Sequence, residues 1–517
     1  MPKTIILCSD GTGNADIKGR GTNVFKLFEA IDLNEHRTNP AFDTQLAFYD
    51  DGVGTKGAVI LRILGGAAGY GLKRNVKELY KELARVYDEG DRVMLFGFSR
   101  GAFTVRTLAG MIGACGVLKG EAFKTARELR EAVEMAYNAY RCGYHSALTA
   151  AWGRLRGWES REEARRRFEQ RYFHDDPAAN RLHRTVRIRF IGVWDTVDAV
   201  GLPFAIASFV NRWIYQFKFS TERLGEHVDG ACQALSIDDP RLAFEPVLWW
   251  ADRRIQQVWF AGVHSNVGGG YTKQGMSLVA LDWMLAQAER AGLRLQKTDR
   301  ELFRGHATVD DLLYNPRARF GIFYRWAPRD IRRYCETARI DEPTIHLSVA
   351  ERIAHATDDY APGNIPPGCK VVYTLSDKDD PRREQKEALL AMRAEAVEYA
   401  LRQALGQRYL LDDMRGAVRM GIDSYWIFMA SWGGLILTIV AALTWFAAGS
   451  ALWRYAALAL FALSIFGFAR AWWFSSRADA ALEDHFTLFW QHHQRELRDA
   501  LKQSKVDARA AFTATRS

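Results

Sequence analysis

The ten residues Val93-Met94-Leu95-Phe96-Gly97-Phe98-Ser99-Arg100-Gly101-Ala102 carry more chemistry than any other stretch of the chain. An apolar run ends in Gly97-Phe98-Ser99-Arg100-Gly101, and a helix-like pattern continues from Ala102 to Ile112. A Gly-x-Ser-x-Gly turn between strand and helix holds a serine in a strained conformation at the top of a sheet, with its hydroxyl ready for nucleophilic attack. Small residues at Gly97 and Gly101 let strand and helix approach closely. Alone, the pentapeptide is equally a glycine-rich turn around an inert serine; the strand before it and the helix after it favour the nucleophile. The Arg100 N–H, just past the serine, is then a donor for an oxyanion.

A serine nucleophile needs a base, and the base needs an orienting carboxylate. On this kind of turn the chain order is serine, acid, histidine. Of the 12 histidines, His264 is placed best. It follows the apolar run Val258–Val263 and precedes Ser265-Asn266-Val267-Gly268-Gly269-Gly270, whose glycines let a loop fold back over the serine. His346 is the alternative, while His174 and His183 fall in a helical insertion. For the acid, the strand pattern Val186–Val193 runs into Trp194-Asp195-Thr196-Val197-Asp198, which puts Asp195 at a strand's carboxyl end. A carboxylate there also serves to cap the next turn, and Asp198 and the pair Asp238-Asp239 compete for the role. The first strand ends in Ser9-Asp10-Gly11-Thr12-Gly13-Asn14, so the backbone N–H groups of Gly11 and Thr12 are further oxyanion donors. This loop lacks the phosphate-loop and dinucleotide patterns, and no His/Cys/Asp cluster has metal-ligand spacing; neither a cofactor nor a metal is expected.

Strand and helix signals alternate up to about residue 290: Thr4–Cys8, Asn23–Ile31, Thr44–Tyr49, Asn75–Tyr87, Arg92–Phe96, then Val186–Val193 and Gln257–Val263. This alternation predicts an α/β-hydrolase-like fold, a mostly parallel sheet covered by helices. An Arg/Glu/Ala-rich helical insertion falls at about 121–182. Residues 291–420 are less regular and read as an appendage to the core. Catalytic residues are expected within 1–375, followed by an amphipathic helical connector at 376–420 with its helix from Arg382 to Tyr409. The net charge of +9 comes with Arg and Glu interleaved, as in Arg161–Arg167, and with no basic stripe bearing stacking aromatics. Nucleic acid is therefore not an expected partner; anionic lipid suits the charge better. The six cysteines are scattered, several in apolar runs, as reduced core thiols are. Lys3–Cys8 reads as a first strand rather than a secretory leader.

From Tyr425 to Ala448 no residue is charged, and a second apolar stretch, Leu452–Phe474, is interrupted only by Arg454 and Arg470 near its ends. Tryptophans gather near the segment ends, as in an interfacial aromatic belt. The reading is a transmembrane helical hairpin at 421–478 and a charged helical tail at 479–517; a hairpin buried inside a soluble protein is the alternative. Arg415, Arg419, Arg470 and Arg477 flank the outer ends while the turn holds only Arg454. The expected location is the inner membrane, and such a distribution predicts the catalytic domain and tail in the cytoplasm.

The stretches Cys8–Asn14, Tyr49–Thr55, Gly97–Ala102, Gly192–Val197 and Gly262–Tyr271 together resemble the catalytic domain of type VI secretion phospholipase effectors, over about residues 3–375. That family has an α/β-hydrolase fold with a Ser-Asp-His triad and includes phospholipases A that attack bacterial membranes. The resemblance implies Ser99 as nucleophile and His264 as base, with Asp195 matched by motif position. It also implies a membrane lipid substrate, and a secretion-spike or immunity protein as partner. Fold does not carry substrate with it. A membrane-tethered esterase or thioesterase acting on other substrates, and a catalytically silent membrane scaffold, stand as alternatives. Hydrolysis of short esters without phospholipids points to the first, and failure of a fluorophosphonate to label Ser99 points to the second.

Overall fold

The computed structural model describes residues 2–11, 21–51, 68–141, 161–176, 179–197, 222–318, 322–377 and 380–514. Eight strands form one sheet: β1 (Thr4–Ser9), β2 (Gln45–Asp50), β3 (Arg92–Phe98), β6 (Ile188–Trp194), β7 (Ala231–Ser236), β8 (Ile255–Phe260), β9 (Thr344–His346) and β10 (Lys370–Val372). Two short strands, β4 (Val117–Leu118) and β5 (Leu182–His183), pair separately. The order in the large sheet is β10-β9-β8-β7-β6-β3-β1-β2, and every pair is parallel. From β1 the chain moves outward to β2 and then returns to place β3 on the other side. The carboxyl ends of β1 and β3 therefore flank a topological switch point, where open α/β sheets form their crevice.

The central strands β1 and β3 bury both faces in alternation. Ile5, Leu7, Val93 and Leu95 meet one layer, built by α2 (Ala68–Val86), α3 (Arg100–Cys115), α4 (Ala126–Arg141) and α5 (Arg161–Tyr172). Ile6, Cys8, Met94 and Phe96 meet the other, which includes α1 (Asn23–Ala30) and α7 (Gly275–Arg290). A sheet covered on both sides needs near-continuous apolar strands, which is what these sequences supply. The insertion contributes α4 and α5, and its residues 142–160 lie outside the described residues. Five cysteines among the described residues are buried and lie outside any disulfide.

Three features depart from the sequence reading. Strand β7 was not expected, yet it lies between β6 and β8. The section from 291 to 420 is not an appendage: β9 and β10 extend the main sheet, with Ile345 buried in one cluster with Trp259. The second apolar stretch and the tail are one helix. Helix α10 (Arg415–Ala448) has 34 residues and α11 (Ala451–Ala514) has 64. Both are long and apolar enough to cross a membrane, and their apolar residues face outward, Leu443 being 65% and Phe446 83% exposed. Beyond that region α11 changes surroundings. Its Leu482, Phe486, Trp490, Leu497 and Leu501 are buried against α8 (Leu347–His355) and α9 (Arg383–Leu405).

Candidate active site

Ser99 follows β3 directly and caps α3, with φ 58° and ψ −123°. A left-handed φ at a non-glycine residue costs on the order of 1–3 kcal/mol and persists only where the surroundings enforce it. Here the glycines enforce it. A Cβ on Gly101 would lie 2.1 Å from the Ser9 carbonyl, and one on Gly97 would lie 2.6 Å from the Gly101 carbonyl. The Ser99 N–H continues the ladder, donating to the Trp194 carbonyl at 3.0 Å. Arg100 opens α3, so its N–H is one of the first-turn donors for which a helix has no internal acceptor, at the positive end of the helix dipole.

His264 begins α6 (His264–Gly268), four residues past the end of β8. The chain leaves the sheet at Phe260 rather than at Val263, because Gly262 turns it with φ 115°. Two aspartates secure this turn: Asp238 accepts from the Gly262 N–H at 2.6 Å, and Asp239 from the His264 N–H at 3.1 Å. Gly268 lies so close to Phe98 that a Cβ would fall 1.9 Å from its ring, which brings the loop down over β3. The imidazole sits between Phe98, at 4.6 Å, and Phe244, at 4.8 Å. Its Nε2 accepts from the Ser99 hydroxyl at 2.8 Å, and its Nδ1–H donates to Asp195 Oδ2 at 2.5 Å.

Asp195 follows β6 with φ 37°. Besides His264, its carboxylate accepts from the Ser236 N–H at 3.0 Å and from both terminal nitrogens of Arg329, at 2.7 and 2.9 Å. The same guanidinium donates to the Ser236 carbonyl at 2.7 Å and the Phe244 carbonyl at 2.6 Å. Burial alone would push the Asp195 carboxyl up; the Arg329 cation and the His264 N–H reverse this and hold it well below the usual carboxylate range. Burial also pushes the His264 imidazole below its ordinary value, against the opposing pull of Asp195 and Asp239. A neutral imidazole bonded to a hydroxyl on one side and to an ionised carboxylate on the other can take the hydroxyl proton as oxygen attacks a carbonyl.

The structure thus brings Ser99, His264 and Asp195 into one line. Arg329 and Ser236 were not anticipated. Of the competing acids, Asp239 pairs with Arg241 and supports the His264 backbone, while Asp238 accepts from the Tyr360 hydroxyl at 2.9 Å. Asp198 lies outside the described residues, as does Thr12. His346 bonds Ser348 and Thr374 instead of a nucleophile in this line. The Gly11 N–H, expected to point at an oxyanion, donates to Asp10 Oδ1 at 2.5 Å. Among the described residues, Arg100 is therefore the expected donor without such an acceptor. Among the described residues no group of three His, Cys, Asp or Glu is placed to hold a metal ion.

Residues 3–287, more than half the chain, match the family described as T6SS, phospholipase effector Tle1-like, catalytic domain. The uncharacterized protein YEL023C of Saccharomyces cerevisiae is 30% identical over 216 residues, which is 39% of this chain and 27% of that protein. The match thus spans about a quarter of the yeast relative. Among solved structures, an uncharacterized protein from Pseudomonas aeruginosa is 18% identical, with 78% of this chain and 60% of that chain covered and a TM-score of 0.33. A Tle1 effector bound to the VgrG spike of a type 6 secretion system is 14% identical, with 53% and 52% covered and a TM-score of 0.28. With its strand–turn–helix around Ser99 and the matched span of residues 3–287, the chain belongs to the Tle1-like phospholipase effector family through that family's catalytic domain.

Proposed function

We propose that this protein is a serine hydrolase that cleaves the carboxylic esters of membrane phospholipids. The observation that carries the reading is the unbroken relay from Ser99 Oγ through His264 to Asp195, at 2.8 and 2.5 Å. In this mechanism His264 removes the Ser99 proton as Oγ attacks the acyl carbonyl, and the Arg100 N–H at the start of α3 stabilises the oxyanion. The lysophospholipid leaves with the proton returned by His264. Water, activated by the same imidazole, then releases the fatty acid and restores Ser99. Asp195 keeps Nδ1 protonated, and Arg329 keeps Asp195 ionised and fixed.

Membership of a phospholipase family supports lipid as the substrate. The exposed apolar faces of α10 and α11 support a membrane as the workplace, with the hairpin inserted and the basic flanks leaving the catalytic body on the cytoplasmic side. Membership of an effector family makes a secretion spike and an immunity protein candidate partners. The test is fatty-acid release from phospholipid vesicles. Wild type is expected to release fatty acid and Ser99→Ala to fall to background; equal release by both would refute the reading.

A further inference from the structure

Residues 322–329 form a strap between the foot of the hairpin and the relay. At the hairpin end, the Phe323 ring lies 5.7 Å from Phe428 and 5.6 Å from Trp432, and the Phe323 carbonyl accepts from the Tyr425 hydroxyl at 3.3 Å. Trp326 occupies the space over Gly421, where a Cβ would meet its ring at 2.5 Å, and the Arg325 guanidinium lies 5.5 Å over Trp426. At the other end, Tyr324 meets Phe244 at 5.5 Å, and Phe244 meets His264 at 4.8 Å. Arg329 closes the strap on Asp195. The backbone is pinned along the way: Leu242 donates to the Arg325 carbonyl at 2.9 Å, and Ala327 to the Pro240 carbonyl at 2.8 Å.

The last charge before the apolar run of α10 is Asp423, and the run itself starts at Tyr425. At about 1.5 Å per residue, Phe428 and Trp432 lie roughly 5 and 10 Å along the helix axis into that run. Phe323 therefore stands level with the outer part of the apolar zone, and Ile322 beside it is 42% exposed. Two rings, Tyr324 and Phe244, separate that level from the imidazole. The attitude of the body is fixed as well. Helix α11 runs unbroken from the hairpin into the body, where Trp490 is fully buried and its Nε1–H donates to the Pro362 carbonyl at 2.8 Å.

We infer that Ser99 acts in cis: its substrate is a phospholipid of the same bilayer that holds the protein's own hairpin, reaching the serine along the Phe323–Tyr324–Phe244 face. This rests on the lipid-hydrolase reading above. The occupant of the apolar surface is lipid because the apolar stretches of both helices are exposed, from Leu437 and Leu443 on α10 to Leu463 and Phe466 on α11. A second copy of the chain would cover one stripe, whereas a bilayer covers the whole circumference.

The test uses the full-length wild-type protein, reconstituted into phosphatidylethanolamine/phosphatidylglycerol vesicles. An acyl-labelled fluorescent phospholipid is placed in those vesicles, in separate protein-free vesicles, or in detergent micelles, at equal total lipid. The inference expects micellar substrate to be cleaved and substrate in the protein's own vesicles to be cleaved at least tenfold faster than substrate in separate vesicles. Equal rates in the two vesicle populations overturn it and leave the lipid-hydrolase reading standing; a hairpin shielded by a second copy gives that result. Silence in all three arms, micelles included, overturns the lipid-hydrolase reading and this inference with it.

Discussion

Arg329 grips both oxygens of Asp195 with both of its terminal nitrogens while the same carboxylate accepts from His264, and all three side chains are buried. Removing one partner of such a pair strands a buried charge and costs about 3–5 kcal/mol. Asp195→Asn therefore is expected to lower the melting temperature as well as turnover. The turnover loss, on the order of 10⁴-fold, comes from the wrong imidazole tautomer. Adding Arg329→Met to Asp195→Asn removes the stranded cation, so the double variant is expected to recover much of the stability and none of the activity. Thermal melts with parallel esterase assays check this, and strictly additive losses in stability would contradict it.

The acid limb of kcat/KM reports the free enzyme's base. Burial holds His264 below its ordinary value of 6.5, so activity is expected to persist below pH 6.5 and to fall only as the imidazole takes a proton. Asp195 and Asp239 pull the imidazole upward, and Arg241 pulls it downward. Arg329 cancels much of the charge of Asp195, so Arg329→Met is expected to move the acid limb to higher pH, with kcat reduced. A pH profile on a soluble ester decides; an unmoved limb would make Arg329 a structural residue only.

Ser99 has a backbone conformation suited to glycine. Ser99→Gly is expected to abolish activity and to stabilise the fold by about 1 kcal/mol, since strain of 1–3 kcal/mol is relieved against the loss of one hydrogen bond. Gly101→Ala is expected to do the reverse to stability, because its methyl group meets the Ser9 carbonyl. Chemical denaturation of the two variants measures both, and a destabilised Ser99→Gly would mean that the turn is not strained.

That Ser99, His264 and Asp195 come together was legible because each stands at the carboxyl end of an apolar run, where a parallel sheet gathers its loops. Arg329 was not, because a single arginine in Trp326-Ala327-Pro328-Arg329-Asp330 has no periodicity or motif and is one of many in the chain. Strand β7, Ala-Cys-Gln-Ala-Leu-Ser, has one large apolar residue, Leu235, among small and polar ones, and β9 and β10 have three residues each, too few for an alternation to show. The charges that follow Phe474 suggest a boundary between hairpin and tail. Charge marks where α11 leaves its apolar surroundings and not where its backbone ends.

That continuity has its own consequence. Trp490 is fully buried and hydrogen-bonded, so Trp490→Ala is expected to destabilise the catalytic body by about 3–5 kcal/mol although it lies far along the chain from the relay. A small effect, below about 1 kcal/mol by denaturant titration, would show that the C-terminal half of α11 does not belong to the body.

The relay itself is tested most directly by the site and rate of fluorophosphonate labelling, read by mass spectrometry of the peptide that carries Ser99. The wild-type protein is expected to give one adduct, on Ser99, and His264→Ala to label more slowly by several orders of magnitude while keeping its fold. Labelling at another residue, or an undiminished rate in His264→Ala, would contradict the assignment of Ser99 as a nucleophile activated by His264.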